Sequence, residues 1–171
     1  FVGFRFPTLF KVYDIATTLW HDRASYNQLR WRADFVIQAY GKWLVGALGR
    51  IGELDPETYD ELGDPLVTVC AAPAVSGNGE WIEHDRLDLV FETGVGLNIG
   101  QGSSPQVILQ WSNDGGRTFP HERIGSLGAI GDFRVRVLFT RLGRSKDRVY
   151  RYIVSDPVKL WLLYATLNEW D

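Results

Sequence analysis

The sequence predicts an all-β protein in two parts. Two kinds of observation carry that prediction: side-chain alternation of period two, and glycine- and aspartate-rich clusters that punctuate the alternating runs. In "RLDLVF", Leu87, Leu89 and Phe91 fall on one side and Asp88 on the other. "FRVRVLF" sets Phe133, Val135, Val137 and Phe139 against Arg134 and Arg136. A strand turns successive side chains to opposite faces, so each run reads as a half-buried strand. "VYRYIV" (149–154) and "KLWLLYATL" (159–167) are apolar on both sides, as in a central strand or an edge strand whose face is covered. Asp156-Pro157 gives the second run an extended start, and its β-formers weigh against a helix. Turn-forming clusters at 76–80, 94–105, 113–116, 125–132 and 143–147 separate the runs.

The two parts are residues 1–65 and 66–171. The first carries "YDIATTLW" (13–20) and "LDPETY" (54–59), in which a short strand ends in Asp14 or Asp55 and Thr17 or Thr58 follows. Each aspartate is placed to cap its own turn by accepting backbone N–H bonds. Strand, aspartate turn and strand at a period of roughly 40 residues predict a propeller-like segment of one or more blades. "ALGRIGEL", from Ala47, lacks a polar hairpin, which predicts an abbreviated blade. The acidic "DELGDP" (60–65) leads out of this part, and the strands beyond it suffice for a β-sandwich.

The 171-residue chain starts with Phe1 and contains no methionine, and is read as a fragment of a longer polypeptide. With 45% hydrophobic and 23% charged residues it has the composition of a soluble globular protein, not of a disordered one. The longest apolar run, 160–165, is far short of the roughly 20 residues that span a bilayer, so no membrane span is expected. Cys70 is alone, which excludes an internal disulfide, and is expected as a small buried hydrophobe. Charge is strongly polarised: residues 50–92 hold eleven acids and two bases, net −9, whereas 117–151 hold nine bases and three acids, net +6. Such fields invite association, unless they pair within the fold or are simply solvated.

"LQWSNDGGRTFPHERI" (109–124) contains Ser112-x-Asp114-x-Gly116-x-Thr118-Phe119. This spacing is similar to the Asp-box, the hairpin motif repeated around sialidase propellers and found in many other β proteins. Phe119 stands where the motif ends in Trp. The resemblance implies a structural turn: Asp114 accepts main-chain hydrogen bonds, Gly116 adopts positive φ, and the aromatic ring tucks beneath. No catalytic, metal or cofactor site emerges elsewhere. A sialidase would need several such boxes and an arginine triad. Glu80, Glu83 and Asp85 have no identifiable partner for glycoside chemistry. His21, His84 and His121 have no nucleophile in a recognisable elbow, and are expected as surface or hydrogen-bonded residues. "GVGLNIGQG" (94–102) lacks the Lys-Ser/Thr of a phosphate loop and is expected to form a wide turn or bulge. No enzyme is expected.

Three segments, "ETGVGLNIGQGSSPQVILQWSNDGGRTF" (92–119), "IGSLGAIGDFRVRVLFTRLGRSKDRVYR" (124–151) and "VSDPVK" (154–159), resemble the C-terminal portion of packaged-DNA stabilisation or tail-nozzle proteins of short-tailed bacteriophages. "AYGKWLVGALGRIGELDPETYDELGDPL" (39–66) is similar to the segment that precedes it there, where a propeller-like body leads into a final β domain. The resemblance implies a virion tail protein assembled in the bacterial host cytoplasm. Copies of it would form a ring, a hexamer by resemblance, docked to portal and adaptor proteins and to a tail fibre or needle. Packaged DNA would be retained and then pass through without sequence-specific binding. A ring needs two different complementary patches on each subunit. Arg134, Arg136, Arg141, Arg144 and Arg148 are the candidate interface donors, facing the acidic stretch of a neighbour. Lining the DNA path with them is the weaker use, because a conduit that grips phosphates would impede passage. The alternative function is a carbohydrate- or receptor-binding β module of a tail or surface protein, which exposed tryptophans would favour.

Overall fold

A computed structural model describes residues 1–92, 102–128, 131 and 134–169, and the regular elements among them are all strands. The wide turn expected at 94–102 falls almost wholly outside the described residues, as does part of the 125–132 cluster. The chain divides into two units, Phe1–Leu66 and Val67–Asp171, one residue beyond the boundary expected from sequence.

The first unit contains β1 (Val2–Arg5), β2 (Phe10–Asp14), β3 (Leu19–Asp22), β4 (Phe35–Ala39), β5 (Lys42–Ala47), β6 (Arg50–Glu53), β7 (Asp60–Glu61) and β8 (Asp64–Pro65). They pair as two three-stranded antiparallel meanders, β1-β2-β3 and β4-β5-β6, and a short hairpin, β7-β8. Phe10, Val12, Trp31, Ala33 and Val45 form the core, with the Phe10 ring edge-on to Trp31 at 5.3 Å. Asp14 accepts bonds from the Ala16 N–H and the Thr17 hydroxyl, and Asp55 accepts them from the Glu57 N–H and the Thr58 hydroxyl. "ALGRIGEL" makes its hairpin with only Leu48 and Gly49, both at positive φ (54° and 71°). Two left-handed central residues match the twist of the flanking strands, so a longer polar loop is not needed. Glu61 and Asp64 are used internally: Glu61 accepts a 2.6 Å bond from the Trp31 indole, and Asp64 one of 2.6 Å from Arg32. Asp55, Glu57 and Asp60 stay exposed.

The second unit contains β9 (Thr68–Ala71), β10 (Val75–Ser76), β11 (Ile82–Glu83), β12 (Arg86–Glu92), β13 (Gln106–Ser112), β14 (His121–Ser126), β15 (Arg134–Thr140), β16 (Arg144–Ser145), β17 (Asp147–Val154) and β18 (Trp161–Leu167). One sheet runs β10-β17-β13-β14, with β9 also on β17; another runs β15-β12-β18; β11 and β16 form a small ribbon. The inward residues of the two larger sheets share one core: Leu87, Leu89 and Phe91 of β12, Val107, Leu109 and Trp111 of β13, Val137 and Phe139 of β15, and Tyr150 and Val154 of β17. This is the alternation seen in "RLDLVF" and "FRVRVLF", now with a partner for each inner face. β17 is central, as its two-sided apolar pattern predicted, whereas β18 is an edge strand beside β12. Cys70 departs from expectation. It is exposed rather than buried, because β9 is a four-residue edge strand that leaves every side chain open to water.

Gly125 lets β14 close against β15. A Cβ there would lie 2.3 Å from the Val137 side chain and 3.0 Å from the Phe139 ring, both buried. Gly125→Ala should therefore destabilise the sandwich by about 1–3 kcal/mol through overpacking. Val137→Ala in the same chain should recover part of the loss. Denaturant titration of the two variants checks both, and unchanged stability in Gly125→Ala would disprove the close approach.

A candidate assembly surface

The turn after β13 is built by two side chains. Ser112, fully buried at the end of the strand, accepts bonds from the Asp114 and Gly116 N–H groups. Asp114 accepts from the Ser112 hydroxyl, the Arg117 and Thr118 N–H groups and the Thr118 hydroxyl. Those donors, the two hydroxyls first, hold the Asp114 carboxyl well below the usual carboxylate range. Gly115 and Gly116 supply positive φ (76° and 87°). Phe119 is half-buried and carries the Arg151 guanidinium 3.7 Å above its ring centre. Ser112, Asp114 and Thr118 thus bond one another and the backbone of the turn, while Phe119 packs on Arg151 of β17.

A polar network lies beneath the loop that joins β15 to β17. His84 is fully buried, with Nε2 2.8 Å from the Ser145 hydroxyl and Nδ1 2.9 Å from the Tyr150 hydroxyl. Arg148, also buried, donates to Asn113 Oδ1 (2.8 Å), to the Leu142 carbonyl (2.7 Å), to the Tyr150 hydroxyl (3.3 Å) and to the Arg144 carbonyl (3.4 Å). Burial, and then the nearby Arg148 charge, push the His84 imidazole down to about 4. A serine and a histidine in contact suggest nucleophilic chemistry. Here Ser145 and His84 are both sealed from solvent, so no substrate reaches them. Sequence reasoning placed Arg148 among the outward donors. The structure corrects that: Arg148 follows the inward face of β17 with Tyr150 and Val154 and spends its donors inside the domain.

The other four candidate arginines are exposed. Arg136 is committed within the domain. With Arg86 it grips Asp88, which is 1% exposed on the outer side of β12: Arg86 Nη2 lies 2.9 Å and Arg136 Nε 2.8 Å from Asp88 Oδ2. Burial raises the Asp88 carboxyl, but the Arg86 and Arg136 hydrogen bonds outweigh it and leave the group below its ordinary value. Arg134, Arg141 and Arg144 have no carboxylate within ion-pair distance among the described residues. Arg134 stands opposite Glu92 in the β12–β15 register, and the Arg141 N–H holds the Asp85 carbonyl at 2.8 Å. These three cations are exposed and, among the described residues, unmatched by an acid. Sequence alone does not show that Lys146 joins Arg144: the two lie against the exposed Trp81 ring, at 5.8 Å and 5.0 Å from the centroid. Among the described residues no cluster of ligands could hold a metal ion, and no helix is long and apolar enough to cross a membrane.

Residues 68–168 match the family model described as bacteriophage P22 Gp10, beta-sandwich. The match begins in β9 and ends just beyond β18, so it takes in both large sheets of the second unit and more than half of the chain. No curated protein matches the chain. The match bears out the family resemblance carried by residues 92–159 and the expectation of a β-sandwich there. At the coarser level it also bears out the expectation of a structural protein of a bacteriophage tail.

Proposed function

The chain belongs to the family of the bacteriophage P22 Gp10 β-sandwich, and from that premise we propose that it is a subunit of a nozzle ring at the distal end of a phage tail tube. Copies of the chain, six by family resemblance, close around a lumen that retains packaged DNA and lets it pass at ejection without reading its sequence. Portal and adaptor proteins dock on one side and a fibre or needle on the other, in a virion assembled in the host cytoplasm. The first unit serves as a propeller-like body, for which its successive antiparallel meanders and Asp14 and Asp55 turns are the support.

One observation carries the ring. Arg134, Arg141 and Arg144 stand exposed on the matched domain without an acid of their own among the described residues, whereas Asp55, Glu57 and Asp60 stand exposed in the other unit. A closed ring is made of heterologous contacts, which need two unlike and complementary patches on one subunit. Arginine suits such contacts because its planar fork pairs carboxylates bidentately. Arg136 and Arg148 take no part, since Arg136 is held by Asp88 on the outer face of its own sheet and Arg148 spends its donors inside the sandwich. Light scattering of the full-length protein should give a ring-sized particle. Arg134→Glu with Arg141→Glu should give monomers with an unchanged circular dichroism spectrum. A normal ring from that variant would remove these arginines from the contact.

A second use has its own observation. Trp20, Trp43, Trp81 and Trp161 are all more than half exposed, and exposed indoles suit the flat faces of sugars. A monomer that binds glycans in solution would make the chain a carbohydrate-binding module instead.

A further inference from the structure

Trp81 is 58% exposed, yet two cations converge on its ring: the Arg144 guanidinium and the Lys146 ammonium. Neither has a carboxylate within ion-pair distance among the described residues, although Glu83 is the strand partner of Arg144. Two like charges sharing one indole repel each other, so the arrangement needs support from below. Ser145, between them, turns inward to His84, and the Arg148 guanidinium holds the Arg144 carbonyl. The His84 N–H holds the Gly143 carbonyl at 2.7 Å, and the Gly77 N–H holds the Lys146 carbonyl at 2.9 Å. The buried network therefore fixes the short stretch of backbone that presents both cations. A site ordered before its ligand arrives loses little conformational freedom on binding. Its chemistry selects an anionic group borne on a compact, partly apolar surface, since the indole face favours apolar contact and the cations favour carboxylates.

We propose that Trp81, Arg144 and Lys146 form a socket for the acidic turn 55–60 of a second copy of this chain. The inference rests on the ring reading and names one contact within it. Charge complementarity selects the occupant. Glu80, Glu83 and Asp85 are exposed too but flank Trp81 on the socket's own stretch of chain. Asp55, Glu57 and Asp60 are exposed within six residues of one another and far from it in sequence, whereas the neighbouring Glu53, Glu61 and Asp64 are already paired with Lys42 and Arg32. The turn is braced by its own acids: the Asp55 carboxylate accepts from the Glu57 N–H and the Thr58 hydroxyl, and the Asp60 carboxylate from the Gly63 N–H.

The test uses complementary charge reversal in the full-length protein, read by sedimentation velocity. Arg144→Glu with Lys146→Glu should weaken self-association at least tenfold. Pro56→Lys with Glu57→Lys, which keeps both aspartate caps, should do the same. A one-to-one mixture of the two variants should assemble better than either alone, because the reversed socket then meets a turn of no net charge while the wild-type socket meets the wild-type turn. Trp81→Ala removes the platform without altering charge and should weaken assembly as well. Wild-type assembly by either reversed variant overturns the socket and leaves the ring standing, and so does a mixture that assembles no better than either variant. Normal assembly by Arg144→Glu with Lys146→Glu, together with lost binding to dextran sulfate, would assign the site to an anionic glycan. A wild-type chain that stays monomeric overturns the ring, and the socket with it.

Discussion

Replacing Asp88 with alanine is expected to destabilise the sandwich by about 2–4 kcal/mol, although Asp88 lies on the outer side of its sheet, away from the core. The carboxylate is 1% exposed and holds two guanidinium groups, Arg86 and Arg136. Removing one partner of a buried ion pair leaves uncompensated charge, which typically costs about 3–5 kcal/mol. The expected loss is somewhat smaller here, because the Arg136 side chain is 43% exposed and can turn to water. Arg86 is 15% exposed and has less room to do so. A double-mutant cycle with Arg136→Ala should give a coupling of about 1 kcal/mol or more, as expected for residues in direct contact. Denaturant titration provides each value. A loss under about 0.5 kcal/mol in Asp88→Ala would place the triad among the inconsequential surface pairs.

Acid is expected to weaken the same domain well before its carboxylates titrate. In the folded chain the His84 imidazole is pushed down to about 4, so it is neutral there, whereas an unfolded histidine binds a proton near 6.5. The stabilisation is fully present above pH 6.5. As pH falls below that value the unfolded chain takes up a proton that the fold refuses, and stability declines until the folded group titrates near pH 4. A shift of this size corresponds to roughly 3 kcal/mol across that window. His84→Gln should flatten the profile between pH 6.5 and 4.5. Arg148→Met removes the second cause of the shift and should raise the His84 pKa, which would stay below 6.5 because burial, the larger cause, persists. Unfolding free energy against pH, with the imidazole followed by NMR, checks all three. A wild-type profile flat from pH 7 to 4.5 would contradict them. Asp88 and Asp114 act in the same direction at lower pH, since each is held below its ordinary value and its contribution disappears as pH falls through the folded pKa.

The sandwich was legible in the sequence because period-two alternation reports burial directly. Leu87, Leu89, Phe91, Val135, Val137 and Phe139 all occupy or flank the core that the pattern assigned to them. The same period also held the information about Arg148, which shares its parity with Tyr150 and Val154. Residue type overrode that signal: arginine is usually exposed, and burying it requires acceptors from Asn113, Leu142 and Arg144, which no local pattern reveals. Asp88 was legible as outward-facing but not as buried. The arginine that covers it, Arg136, comes from the neighbouring strand, and a diagonal meeting of that kind depends on register. Cys70 misled for the opposite reason, since a small apolar residue type is exposed wherever its strand lies at an edge. The Trp81 cluster joins residues more than sixty positions apart, which the β11–β16 and β10–β17 pairings bring together.

The place of β12 between β15 and β18 has a consequence for how the domain comes into being. The central strand of that sheet finds its last partner at residues 161–167. A ribosome delivering the chain from its N-terminus must release residues 161–167, some seventy positions beyond β12, before the sheet can be completed. Until then Leu87, Leu89 and Phe91 lack part of their native cover. Pairings so distant along the chain also carry a large loop-closure cost, which slows folding relative to proteins built from local contacts. Nascent copies therefore present adhesive apolar surface until β18 emerges, the interval in which chaperone capture or premature aggregation competes with native closure.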